Sequence, residues 1–95
     1  MRSFDDFESI VVTGTTAIGL TETKIAGRQA AIVTVETEAI RCRLDGVDPT
    51  AVEGHLLQPG DVLELTSSRD LLHVRFISTG VDAKLHVSYA RQSTG

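Results

Sequence analysis

The side chains best suited to chemistry in this chain are three histidines, His55, His73 and His86, and its one cysteine, Cys42. Imidazole and thiolate are the usual zinc ligands, and a structural zinc site takes four of them. His73 and His86 fall on consecutive predicted strands with outward parity, so a hairpin around Thr79–Asp82 would bring the two rings near each other. No third ligand follows in register, and Cys42 has the parity of a buried face, where cysteine behaves as a small hydrophobe. The spacing favours surface histidines and a core thiol, with no metal and no cofactor. A lone cysteine also excludes an internal disulfide.

Covalent catalysis needs a nucleophile, a base and an orienting acid. The serines and aspartates here cluster where turns are expected, and their backbone-bonding habit already accounts for them. No G-x-S-x-G, G-x-G-x-x-G or P-loop pattern occurs. The turn carboxylates Asp45, Asp48, Asp61, Asp70 and Asp82 match no calcium-loop spacing. No catalytic residue is assigned, and the expectation is a protein without enzymatic activity.

Charge offers a different chemistry. The predicted outward positions of three strands carry Arg41, Arg43, His73, Arg75, Lys84 and His86, a cationic face. The opening segment carries Asp5, Asp6 and Glu8 beside Phe4 and Phe7. Complementary charge fixes orientation and register between docking surfaces, so the acidic start is a candidate partner for the cationic face of a neighbouring copy. A solvated sheet surface, with lysine and arginine guarding its edges, is the simpler account of the same residues. Thirteen Asp/Glu against nine Lys/Arg give a net charge of −4, which argues against nucleic acid as the main partner. No apolar run approaches the roughly 20 residues of a membrane helix. The acidic start lacks the positive and apolar regions of a signal peptide.

The elements that would position these groups are strands. Period-two alternation, the mark of a half-buried strand, covers Ala31–Glu36, Ile40–Leu44, Leu63–Leu65, Leu72–Ile77 and Lys84–Tyr89. In these, Phe76, Tyr89 and Cys42 take the buried parity, whereas Ile77 falls on the outward one. Asp45-Gly46, Asp48-Pro49-Thr50 and Pro59-Gly60 supply turns. Ser67-Ser68-Arg69-Asp70 and Thr79-Gly80-Val81-Asp82 have hairpin length. Phe4, Phe7 and Ile10 have roughly helical spacing after Ser3, so Ser3–Ile10 is either a short helix or an extended arm. The Thr/Gly-rich stretch 11–27 adds one or two irregular strands. The sum is a 95-residue all-β domain, an antiparallel β-sandwich or barrel of about seven strands. Its expected organisation is an N-terminal arm or irregular segment over residues 1–20, a single β-sandwich domain over 21–91 and a frayed tail over 92–95.

Residues 29–91 carry a further pattern: Arg41-Cys42-Arg43-Leu44-Asp45-Gly46, then Asp48-Pro49-Thr50, Gly54-His55-Leu56-Leu57, Gly60-Asp61 and a closing Leu85-His86-Val87-Ser88-Tyr89. This pattern resembles small β-sandwich structural proteins of tailed-bacteriophage virions. The resemblance implies a non-enzymatic head decoration (cement) protein on the capsid surface, made in the bacterial cytoplasm. It would bind the major capsid protein and copies of itself, as a homotrimer. Tail, neck or head-fibre accessory proteins are near relatives of that role, and a carbohydrate-binding sandwich module is a competing class. On this reading Phe4–Glu8 and the cationic side chains supply interface, with Ile77 and Val62 adding apolar contact.

Overall fold

The structure, a computed structural model, describes residues 2–92, with side chains from Phe4 to Arg91. Seven strands form two antiparallel sheets: β1 (Arg2–Val12), β2 (Ala30–Val35), β3 (Ile40–Arg43), β4 (His55–Leu57), β5 (Val62–Leu65), β6 (Arg75–Ser78) and β7 (Ala83–Gln92). Two short helices, α1 (Glu22–Ile25) and α2 (Ser68–His73), interrupt them. One sheet has the order β1-β7-β2-β5 and the other β4-β3-β6. The all-β, seven-stranded antiparallel expectation is met.

Alternation decides which face of each strand is dry. Val33, Val35, Leu85, Val87 and Tyr89 from the larger sheet meet Ile40, Cys42 and Phe76 from the smaller one in a single buried cluster. Each of these larger apolar chains contributes about 1.5–3 kcal/mol when withdrawn from water. Because both inner faces feed one core, the outward side chains of the two sheets point away from each other.

The connections differ from the hairpins expected. Chain segments 36–39, 58–61 and 79–82 carry the chain from one sheet to the other, and only β3 and β4 are consecutive partners. Thr79–Asp82 is therefore a crossover. Ser78 Oγ reaches the carbonyl of Val81 across it, and Thr79 N bonds to the carbonyl of Ala39. Pro59-Gly60 does form the expected turn, with Asp61 N bonded to Gln58 O and Gly60 at φ 94°.

Ser67–Asp70, expected as a loop, starts a helix. The Ser67 hydroxyl accepts the Asp70 N–H at 3.1 Å, the N-cap bond that satisfies one orphan amide of a first turn. The strand expected over Leu72–Ile77 is accordingly shorter: Leu72 is exposed on α2, His73 ends that helix, and β6 begins at Arg75. Ile77, expected outward, is buried at 7% exposure.

The opening segment is extended rather than helical, and it is paired along its length. Arg2–Val12 forms an edge strand whose register with β7 runs from Arg2↔Gln92 to Val12↔Ala83, shifted once between Phe4 and Asp6 by a bulge. Its Val12 and the following Ala17 and Leu20 join the buried set. The Ser3 side chain, read as a cap, and residues 93–95 of the expected tail lie outside the described residues.

Candidate functional site

The cationic surface expected from parity is divided by the fold. Arg41 and Arg43 on β3 and Arg75 on β6 stand on the outer face of the smaller sheet, and Lys84 and His86 on β7 stand on the outer face of the larger one. His73 belongs to α2. The six groups share no face, and His73 and His86 are not hairpin partners.

The three arginines instead brace the segment 44–54. Arg41 donates to the carbonyls of Ala51 (3.2 Å) and Gly54 (3.0 Å). Arg43 pairs with Asp45 and, at 3.4 Å, with Glu53. Arg75 reaches Asp48 at 2.9 Å and the carbonyl of Ala17 at 3.0 Å. The Arg43 guanidinium holds the Asp45 carboxyl below its usual range. Gly54 closes the segment at φ 134°, where a Cβ would stand 3.0 Å from the Cys42 carbonyl oxygen. Turn residues that resembled a motif thus form one arginine-tied loop, with Val47 and Val52 exposed on it.

The acidic start is also occupied within the chain. Asp5 pairs with Arg28 (3.2 Å) and Arg91 (2.8 Å), and Asp6 with Lys24 (3.0 Å) and Arg28 (3.8 Å). The Arg28 hydrogen bond lowers the Asp5 pKa, and the Lys24 hydrogen bond that of Asp6. Glu8 accepts from Thr21 Oγ1 at 2.7 Å and from the Tyr89 hydroxyl. Burial first, and then that carboxylate, push the Tyr89 phenol well above its ordinary range. Sequence reading missed Lys24, Arg28 and Arg91 as partners of Asp5 and Asp6, because nothing local links residues this far apart in the chain.

What remains unsatisfied is apolar. On the outer face of the larger sheet, β1 presents Phe4, Phe7 and Val11, and β5 presents Val62; they are 52, 53, 56 and 60% exposed. Between them β7 offers Ser88, His86 and Lys84, and β2 offers Ile32 and Thr34. The Phe7 ring meets His86 edge-on, with centroids 5.3 Å apart. His86 Nδ1 lies 3.5 Å from Glu36 Oε2, and that same oxygen accepts from Thr34 at 2.7 Å. The same face also carries Ser9 on β1 and the exposed Glu64 on β5, opposite Ile32, so the exposed apolar side chains stand among polar ones. No group of three or more potential metal ligands occurs among the described residues. The chain matches no protein-family model, no curated protein and no solved structure.

Proposed function

We propose that this chain is a non-enzymatic structural protein of a tailed-bacteriophage particle, a head decoration protein that adheres to the major capsid lattice and associates with copies of itself. The observation that carries the reading is the outer face of the larger sheet, where Phe4, Phe7, Val11 and Val62 stay more than half exposed on a rigid scaffold. Exposed apolar side chains on the two outer strands of the sheet offer several separate contact points, and repetition over a lattice multiplies weak contacts. The phage assignment itself rests on the motif pattern of residues 29–91. An acidic start gripping a cationic face of another copy is not part of this reading, since the fold splits the cations and pairs Asp5 and Asp6 internally. Tail, neck and head-fibre positions use the same adhesive chemistry.

Co-sedimentation with expanded heads assembled from the major capsid protein of the same genome tests the proposal. Saturable binding at a fixed ratio to the capsid subunit is expected, weakened by Phe7→Ser; no binding to such heads would overturn the head assignment.

A second reading draws on the same two phenylalanines. Exposed aromatic rings beside Ser88 and His86 are also how a carbohydrate-binding sandwich grips a sugar face. A rise in melting temperature with oligosaccharides, absent in Phe7→Ser, would favour that class.

A further inference from the structure

The free edge of β1 is self-complementary, and we infer that it pairs with β1 of a second copy, antiparallel and centred on Ser9. The inference needs the sheet topology and not the phage reading.

Backbone polarity sets the geometry. Glu36 N bonds to Lys84 O, and Val35 N to Asp61 O. In β7 the even residues therefore face β2, and the odd ones face β1. With Glu8 opposite Val87 and Ile10 opposite Leu85, the bonded pairs use the even residues of β1. Phe7, Ser9 and Val11 direct their N–H and C=O groups to the open edge. Among the described residues, the Phe7 amide is met there only by its neighbour's carboxylate, Asp6 Oδ1, at 2.8 Å.

The bulge and the charged Asp5 and Asp6 blunt the first half of this edge, whereas the stretch from Phe7 to Val11, with Glu8 held by Thr21 and Tyr89, has no proline or lysine and is a template for another strand. A two-fold axis through Ser9 lets all three edge residues exchange both backbone bonds, Ser9 with Ser9 and Phe7 with Val11 of the other copy. On the outer face this sets the Phe7 ring against a β-branched Val11, a favourable cross-strand pair. On the inner face Glu8 stands opposite Ile10. Centring on Phe7 would oppose Asp6 to Glu8, and centring on Glu8 would oppose that residue to itself, both like-charge pairs. Centring on Ile10 leaves Phe7 without an edge partner. The contact is isologous and closes at two copies, unlike the trimer that the resemblance implies. The Phe4–Val11 surfaces then continue across one doubled sheet.

Analytical ultracentrifugation of the full chain and of Ser9→Pro tests this. Proline at an edge position whose N–H faces solvent leaves the β1–β7 ladder intact. The wild type is expected at twice the 10.2 kDa chain mass. Ser9→Pro is expected to raise the dissociation constant by about tenfold or more with an unchanged circular dichroism spectrum. As a variant that does not disturb the backbone, Ser9→Cys should form an intermolecular disulfide, because bonded antiparallel pairs sit about 5.5 Å apart at Cα, and Cys42 is buried. A monomer at high concentration, a trimer, or a dimer unaffected by Ser9→Pro and not cross-linked through Ser9→Cys would overturn the inference.

Discussion

Glu8 and Tyr89, 81 positions apart, are joined directly: the Tyr89 hydroxyl donates to the Glu8 carboxylate across the first and last strands. This bond reinforces the backbone ladder that already joins β1 to β7. Hydrogen bonds to charged groups contribute about 1.5–3 kcal/mol, so Tyr89→Phe is expected to lower unfolding stability by about that amount in urea titrations. Since Tyr89 is the chain's only tyrosine and tryptophan is absent, ultraviolet titration reads it alone. Its pKa is raised in the fold, so the unfolded state loses this proton first. Stability is then expected to fall as pH rises above about 10, with phenolate absorbance appearing together with unfolding.

Acid acts through two carboxylates close to that bond on β1, Asp6 standing opposite Tyr89 in the register. The folded pKa values of Asp5 and Asp6 are lowered by their bonds to Arg28 and Lys24. The unfolded carboxylates take up protons first, near pH 3.9. Their stabilising contribution is present above that pH and is lost as pH falls through the lower, folded values. Denaturant midpoints measured from neutral pH downward should drop in this window, and the drop should be shallower in Asp5→Asn/Asp6→Asn.

Gly54 and Gly60 both have positive φ, but only Gly54 is crowded. Gly54→Ala should cost roughly 1–3 kcal/mol from backbone strain, with the Cys42 carbonyl adding to it. Gly60→Ala meets nothing within 4 Å and should cost about 1–2 kcal/mol. Paired thermal melts check the order.

The Arg41 fork holds two carbonyls at once, a geometry lysine's single ammonium cannot reproduce. Arg41→Lys is expected to keep the charge yet speed proteolytic cutting within 44–53, with the melting temperature little changed. Mass spectrometry of limited digests locates the cuts.

The sequence displayed the strands wherever alternation ran uninterrupted, as in Ala31–Val35 and Leu85–Tyr89, because burial on one face writes itself at period two. It concealed which strands pair. Parity distinguishes wet from dry but does not say which sheet a strand joins, so Arg41 and Lys84 read as neighbours while standing on opposite faces. The helix α2 had a visible signature, Ser67 three residues before Asp70 and ahead of Leu71-Leu72, overridden by an accidental alternation from Leu72 to Ile77. The β1 bulge was illegible for a simple reason. One extra residue at Asp5 turned a strand's spacing of phenylalanines into a helix's.

The proposed role makes this protein a stoichiometric part of a viral particle. Quantitative mass spectrometry of purified virions of a phage that carries this gene tests that role. The chain is expected in a fixed, high ratio to the major capsid protein, retained through density-gradient purification. Absence from the particles, with the protein recovered only from the soluble lysate, would contradict it.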